Sequence, residues 1–159
     1  MITYKIAATK SEYEEGKRLF EEYANTLNVD LSFQNFSQEL QGIDRQYSKP
    51  DGALLLVYDD SVVIACVGIR LYEQKTAELK RMYVKPEYRG RSIGLLLLQQ
   101  AIMLARDLGY EKLRLDTLHN MTRAQHLYHS HGFYEIAPYR FNPLAGTIFM
   151  EKDLREDET

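Results

Sequence analysis

The chain has 159 residues, 45% hydrophobic and 27% charged, with a formal net charge of −3. Those values describe one ordinary globular domain with enough chain to bury a core, and without a basic excess nucleic acid is not the expected partner. A single cysteine, Cys66 inside an apolar run, excludes a disulfide framework and a cysteine-rich metal site and fits a reducing, cytoplasmic compartment.

No apolar stretch reaches the roughly 18 residues that suggest a membrane span, and residues 1–10 are too short and polar for a signal sequence. Residues 3–8 alternate weakly and read as a first strand. Ser11, with Glu14 three residues later, makes a capping-box pattern for the helix that follows. Leu19, Phe20, Tyr23 and Leu27 recur along it at helical spacing. A weaker helix covers 36–47, and Lys49-Pro50-Asp51-Gly52 is a turn signal. Strands at 53–58, 62–71 and 77–84 have short connections, Asp59-Asp60-Ser61 and Glu73-Gln74-Lys75, so they form an antiparallel meander.

The helix at 93–108 is apolar on most faces and is expected to be buried, with Gly109 placed as a C-terminal cap. A strand at 112–117 arrives through that helical crossover, which implies a parallel pair with 77–84. A short helix at 121–131 puts Met121, Ala124, Tyr128 and His131 near one face and ends at Gly132. Strands at 133–136 and 147–150 close the chain, with a Pro-Tyr-Arg-Phe-Asn-Pro loop between them. The expectation is a single mixed α+β domain over residues 1–154. Its sheet is mostly antiparallel, with one parallel pair and flanking helices, and residues 155–159 form a polar tail.

The segment Val84-Lys85-Pro86-Glu87-Tyr88-Arg89-Gly90-Arg91-Ser92-Ile93-Gly94-Leu95 carries the chemistry. A strand ends, a loop with two arginines and two glycines follows, and an apolar helix begins. The first N–H groups of a helix lack partners within it, and the helix dipole makes that end attractive to phosphate. Gly90 and Gly94 allow unusual dihedrals and close approach, and Arg89 and Arg91 add charge. Gly94 is followed by Leu95 and Leu96 rather than by lysine and a hydroxyl residue, which disfavours nucleoside triphosphate hydrolysis. The glycine spacing also differs from that of dinucleotide-binding folds.

Arg89-Gly90-Arg91-Ser92-Ile93-Gly94 resembles the pyrophosphate loop of the GNAT acetyltransferases, with Ser92 at the family's middle glycine. A backbone that stays helical at Ser92 would keep the N–H and add a hydroxyl. Glu78-Leu79-Lys80-Arg81-Met82-Tyr83-Val84 looks like the family's fourth strand. Leu127-Tyr128, followed by Gly132-Phe133, is similar to its helix end, where a tyrosine faces the cofactor thiol. The order of elements from Thr3 to Leu154 matches as well.

The resemblance implies the GNAT acyl-CoA N-acyltransferase fold, acetyl-CoA as acyl donor, no metal, and direct attack by an amine in a ternary complex. It assigns the pyrophosphate to the N–H groups of Arg89, Gly90, Arg91, Ser92, Ile93, Gly94 and Leu95. The cofactor arm would lie along Met82, Tyr83 and Val84, and the N–H of Met82 or Tyr83 would polarise the oxyanion. Glu78 matches the base of the histone-acetyltransferase branch, with ordered water as the other candidate, and Tyr128 matches the general acid. Strand alternation places Glu78, Lys80, Met82 and Val84 on one face. The family's asparagine seven residues before the tyrosine is Met121 here. Its neighbour Asn120 either replaces the pantetheine contact or caps the helix.

A non-catalytic acyl-CoA-binding or sensing module is the alternative. Glu78 and Tyr128 speak for catalysis, and Met121 speaks against it. The histidines His119, His126, His129 and His131 lack a matching cysteine or carboxylate set for zinc. Asp116 and Thr117 contact either the acceptor or loop backbone. Tyr23, Phe33, Phe36 and Tyr47 fall in the region that covers the acceptor side in this family, and core packing is the simpler role for each. Tyr139, Arg140 and Asn142 lie in the late loop, and Arg81 or Arg140 could hold an acceptor carboxylate. No motif names the acceptor. A small-molecule amine is preferred over a protein amine because no extended charged groove is evident, and a homodimer is possible.

Overall fold

In the computed structural model, which describes residues 1–27 and 35–155, strand β1 (Ile2–Ile6) leads into helix α1 (Lys10–Leu27). The capping box at this junction is Thr9 with Glu12, two residues earlier than Ser11 and Glu14. The Glu12 N–H donates to Thr9 Oγ1 at 3.2 Å, and the Thr9 N–H donates back to Glu12 Oε1 at 3.0 Å. Lys5 then pairs with the other oxygen of Glu12 at 2.5 Å, so strand and helix select the earlier box. Phe33 and residues 156–159 lie outside the described residues.

The expected helix at 36–47 is two helices, α2 (Phe36–Gln41) and α3 (Ile43–Gln46), broken at Gly42. The meander follows as β2 (Ala53–Asp59), β3 (Val62–Glu73) and β4 (Thr76–Val84), then a 3-10 turn (Pro86–Tyr88) and α4 (Ile93–Asp107). The chain ends with β5 (Lys112–Thr117), α5 (Thr122–Ser130), β6 (Tyr134–Ile136) and β7 (Ile148–Asp153). The strands form one seven-stranded sheet in the order β1-β2-β3-β4-β5-β7-β6. Every pairing is antiparallel except β4–β5, which is parallel as the helical crossover requires.

Two apolar layers cover the sheet. On one face Ile93, Leu97, Leu98, Ala101 and Ile102 of α4 pack on Leu55, Val57, Ile64, Leu79 and Leu113. On the other, Leu19 and Phe20 of α1 join Tyr47, Leu54, Leu56 and Cys66. That second face turns polar toward β5. Arg70, Glu78, Arg114 and Glu151 stand opposite one another on β3, β4, β5 and β7, in alternating charge along one rung. Arg70 Nε reaches Glu78 Oε1 at 3.3 Å, and Arg114 Nε reaches Glu151 Oε2 at 2.7 Å.

The β4–β5 pairing covers only Thr76, Ala77 and Glu78 opposite Lys112, Leu113 and Arg114. Beyond that rung the strands part. β4 also carries a bulge. Cys66 opposes Tyr83 and Gly68 opposes Lys80, so Val67 faces both Arg81 and Met82. Arg81 takes φ 57°, and Cys66 Sγ lies 3.4 Å from its carbonyl oxygen. The extra residue breaks the expected alternation. Tyr83 joins the α1-side layer, whereas Met82 and Val84 pack on the α4 side.

Tyr47 is fully buried, edge-on to Phe20 with centroids 5.5 Å apart. It can lie there because residue 68 is glycine, at which a Cβ would come within 2.5 Å of the Tyr47 ring. Gly68→Ala is therefore expected to destabilise the protein by about 1–3 kcal/mol through overpacking. Chemical denaturation of the two proteins measures this directly.

Candidate active site

The parted strands open a cavity of about 790 Å³. Its wall includes Met82, Tyr83 and Val84 on β4, Arg89, Gly90, Ser92, Ile93 and Gly94 at the loop, and Asn120 and Tyr128 from the α5 region. Sequence positions 82 to 128 thus meet in one place. Arg91 points elsewhere, over the Tyr88 ring at 5.1 Å.

The loop builds an anion cradle from backbone. The first helical bond of α4 runs from the Leu96 N–H to Ser92 O at 3.1 Å. The N–H groups of Ile93, Gly94 and Leu95 therefore precede the helix's own bonding and stay open to a ligand. A Cβ at Gly90 or Gly94 would meet nothing within 4 Å, so the space beside the backbone is free. Gly90 has φ 82°, a conformation natural to glycine. Ser92 has φ 62° and ψ 18°, left-handed rather than helical, and makes no side-chain cap bond. The chain must reverse between the 3-10 turn and α4, and the family's glycine position is where it does so. Arg89 Nε donates to Val84 O at 3.1 Å, which fastens the loop to the end of β4.

From Leu79 to Val84, β4 has no partner strand on its β5 side among the described residues. That edge can receive an extended ligand as an added strand. Tyr128 is buried against Phe133, with ring centroids 5.7 Å apart. Burial, then Tyr23 and Asp116, push its phenol pKa up, so its O–H stays protonated at neutral pH. Asn120 does not cap α5. The cap position is Met121, without a side-chain bond, and Asn120 lines the cavity instead.

Glu78 is not brought to this cavity. It lines a separate hollow of about 520 Å³ with Arg70 and Arg140. Its carboxylate accepts from Arg70 Nε, from Tyr139 OH at 3.2 Å and from Arg140 Nη2. Burial alone would raise its pKa, but Lys80, Arg140 and Arg70 together hold it below the ordinary value. Arg140 is engaged through Nη2, whereas its Nε is buried without a partner among the described residues. Lys80 stands on the same sheet face and does reach the cavity wall. Burial first, then Arg81, pushes its ammonium down to about 8, against the pull of Glu78 and Asp116.

A residue with no sequence signal completes the site. Glu39 of α2, 1% exposed, holds Arg81 through two bonds, Nη2 to Oε1 at 2.8 Å and Nε to Oε2 at 3.2 Å. Tyr47 OH donates to the same carboxylate at 2.7 Å, and Phe36 stacks under the guanidinium at 5.0 Å. Helix α2 is thus tied to the bulge in β4. Burial opposes ionisation of Glu39, yet Arg81 and Tyr47 outweigh it and keep its pKa low.

A half-helical phosphate cradle, an open strand edge and a buried tyrosine on one cavity define an acyl-CoA-dependent transferase. Residues 14–133 match the model of the Acetyltransferase (GNAT) family. An uncharacterised N-acetyltransferase of Schizosaccharomyces pombe is 35% identical over 153 residues, covering 94% of each chain. A GNAT-family acetyltransferase structure from Staphylococcus aureus superposes with TM-score 0.80 at 24% identity, covering 98% of this chain and 100% of that one. A putative acetyltransferase of Salmonella typhimurium, solved with acetyl-CoA, gives TM-score 0.71 at 19% identity over 99% and 96%. The chain belongs to the GNAT acetyltransferase family.

Two outcomes follow from these contacts. Ser92→Gly removes a left-handed penalty of about 1–2 kcal/mol, partly offset by glycine's larger unfolded-state entropy. Its melting temperature should rise by about 1–2 °C, and a fall would mean that the hydroxyl holds a contact. Glu39 and Glu78 have folded pKa values below the ordinary 4.5. Their stabilisation is full above that value and is lost as pH falls through the lowered folded values. Glu39→Gln should cost about 3–5 kcal/mol at neutral pH and flatten the acid side of the stability–pH curve, as read by denaturation from pH 3 to 7.

Proposed function

We propose that this protein transfers the acetyl group of acetyl-CoA to the amine of a small molecule, by direct attack within a ternary complex. The observation that carries the reading is the parting of β4 from β5. It sets the anion cradle, the free β4 edge and the Tyr128 hydroxyl on one cavity. The open space at Gly90 and Gly94 and the free N–H groups of Ile93, Gly94 and Leu95 fit a pyrophosphate. Acetyl-CoA, when bound, supplies the acetyl group and a thiol leaving group.

The chain's own groups then divide the work. The N–H of Met82 or Tyr83, turned by the bulge, donates to the carbonyl oxygen as negative charge builds there. The amine nitrogen forms the new C–N bond as the C–S bond breaks, and its surplus proton passes to water in the cavity. Water is preferred to Glu78 as acceptor of that proton, because the Glu78 carboxylate is engaged by Arg70, Tyr139 and Arg140. The Tyr128 O–H donates to the departing sulfur. Asn120 takes the place of the missing asparagine along the cofactor arm.

A recess of about 40 Å³ continues from the cavity between Tyr23 and Leu27 of α1 and Asn142, Leu144 and Thr147 of the late loop. The buried thiol of Cys66 supports a reducing, cytoplasmic setting. Among the described residues no helix is long and apolar enough to cross a membrane.

Thiol release from acetyl-CoA over a panel of small amines, lysine and peptide N-termini tests the reaction. Binding of CoA with no turnover on any of them would favour a sensing module. Tyr128→Phe is expected to lower kcat about 100-fold and to leave the KM for acetyl-CoA unchanged. An unaltered kcat would remove the tyrosine from the chemistry.

A further inference from the structure

The outer edge of β1 is an open ladder. β1 ends the sheet, with β2 on one side and no strand on the other among the described residues. Its two ends fix which residues bond inward. The Asp60 N–H donates to Met1 O at 2.9 Å, and the Ala7 N–H donates to Leu54 O at 2.8 Å. Bonded and non-bonded residues alternate along an antiparallel pair. Thr3 and Lys5 therefore bond inward, opposite Tyr58 and Leu56. The N–H and C=O groups of Ile2, Tyr4 and Ile6 point outward, away from the sheet.

The same three residues carry the large apolar side chains of the strand. They lie on the face where α4 packs on Leu55 and Val57, yet Ile2, Tyr4 and Ile6 remain 42%, 46% and 42% exposed. Native edge strands are ordinarily guarded by a proline, a bulge or an outward lysine. β1 has no proline and runs in unbroken register with β2. Its one lysine, Lys5, is turned to the opposite face and paired with Glu12. An unguarded edge with an apolar stripe is a surface for another strand.

The sequence of the stripe selects that strand. Ile2, Tyr4 and Ile6 read the same in both directions about Tyr4. We propose that β1 pairs with β1 of a second copy of this chain, antiparallel across a two-fold axis at Tyr4, to give a dimer with one continuous sheet. Tyr4 of one copy faces Tyr4 of the other, and Ile2 faces Ile6. These are the outward-pointing residues, so each such pair exchanges two N–H···O bonds. On the opposite face Thr3 of one copy stands against Lys5 of the other. That lysine arrives at a groove of about 560 Å³ along the edge, whose wall includes Thr3, Tyr58 and Glu15. Glu15 accepts from Tyr58 OH at 3.2 Å and has no basic partner among the described residues. Charge is thus complementary, and no like charges stand directly opposite. Each copy offers one such edge, so the pairing closes at two copies. The axis lies three strands from β4 and leaves the active-site cavity open.

Sedimentation equilibrium over about 5 to 500 μM protein tests the pairing. The wild-type mass should rise from 18.6 kDa toward twice that value, with a micromolar Kd, as befits an interface built on one short edge. Tyr4→Pro removes an outward N–H and the ring without removing a bond to β2. It should raise the dimer Kd about 30- to 1,000-fold. Tyr4→Lys sets like charges opposite each other at the axis and should weaken the dimer comparably, which separates loss of the interface from any misfolding caused by proline. Phe141→Lys, a control at a 76% exposed side chain in the late loop, should leave the Kd unchanged. A wild type that stays monomeric at about 500 μM would overturn the pairing. So would a dimer whose Kd Tyr4→Lys leaves unchanged, or one that Phe141→Lys weakens as much.

Discussion

The site depends on one rung of the sheet. Glu78 and Arg114 face each other where β4 and β5 touch for the last time, and Arg70 and Glu151 continue the row on either side. Glu78 has an arginine on both flanks, and Glu151 lies between Arg114 and Tyr134. Buried charges persist on a sheet only when their partners are complete, because removing one leaves its neighbour unpaired. The row therefore pins four strands at a fixed height. Above it no further β4–β5 pair forms among the described residues, and the space that results is the candidate cavity. Tyr139 and Arg140 cap the row from the late loop, so the same charges also fix that loop against the sheet.

A second chain of contacts sets the opposite wall. Gly68 admits the Tyr47 ring, Tyr47 holds Glu39, and Glu39 clasps Arg81 at the bulge. Arg81 occupies a left-handed backbone conformation that costs about 1–2 kcal/mol for a residue with a side chain. The clasp by a buried carboxylate compensates for that cost. The bulge that aims the β4 N–H groups is thus maintained from a helix about forty residues earlier in the chain. The β4 bulge and the helix α2 that overlies it are mechanically one unit.

Most of the fold was legible because its signals are local. The meander, the buried α4 and the parallel crossover each follow from a run of apolar residues and the length of a connection. The glycine-arginine loop was legible for the same reason. What escaped depends on distant partners. The sequence shows Glu78 on its strand but not its pairing with Arg140, 62 residues away. Glu39 sits in a polar stretch that reads as a solvated helix face, and only the folded sheet supplies Arg81 and Tyr47. Ser92 kept the loop recognisable yet concealed its left-handed turn, since serine gives no glycine signal. At the first helix the box forms at Thr9 and Glu12 rather than at the expected Ser11 and Glu14. Lys5, pairing with Glu12 across the strand–helix junction, accompanies the earlier box.

The charged row has a further consequence for how the chain finds its pairing. Side chains on a strand alternate, so a slip of one residue would turn every member of the row to the opposite face. There Arg114 and Glu151 would meet the leucines of α4 instead of each other. Misaligned joining of the first four strands to the last three is penalised by unpaired charge in an apolar layer. The row acts as a key that admits one alignment of the two halves, and the catalytic opening exists only in that alignment.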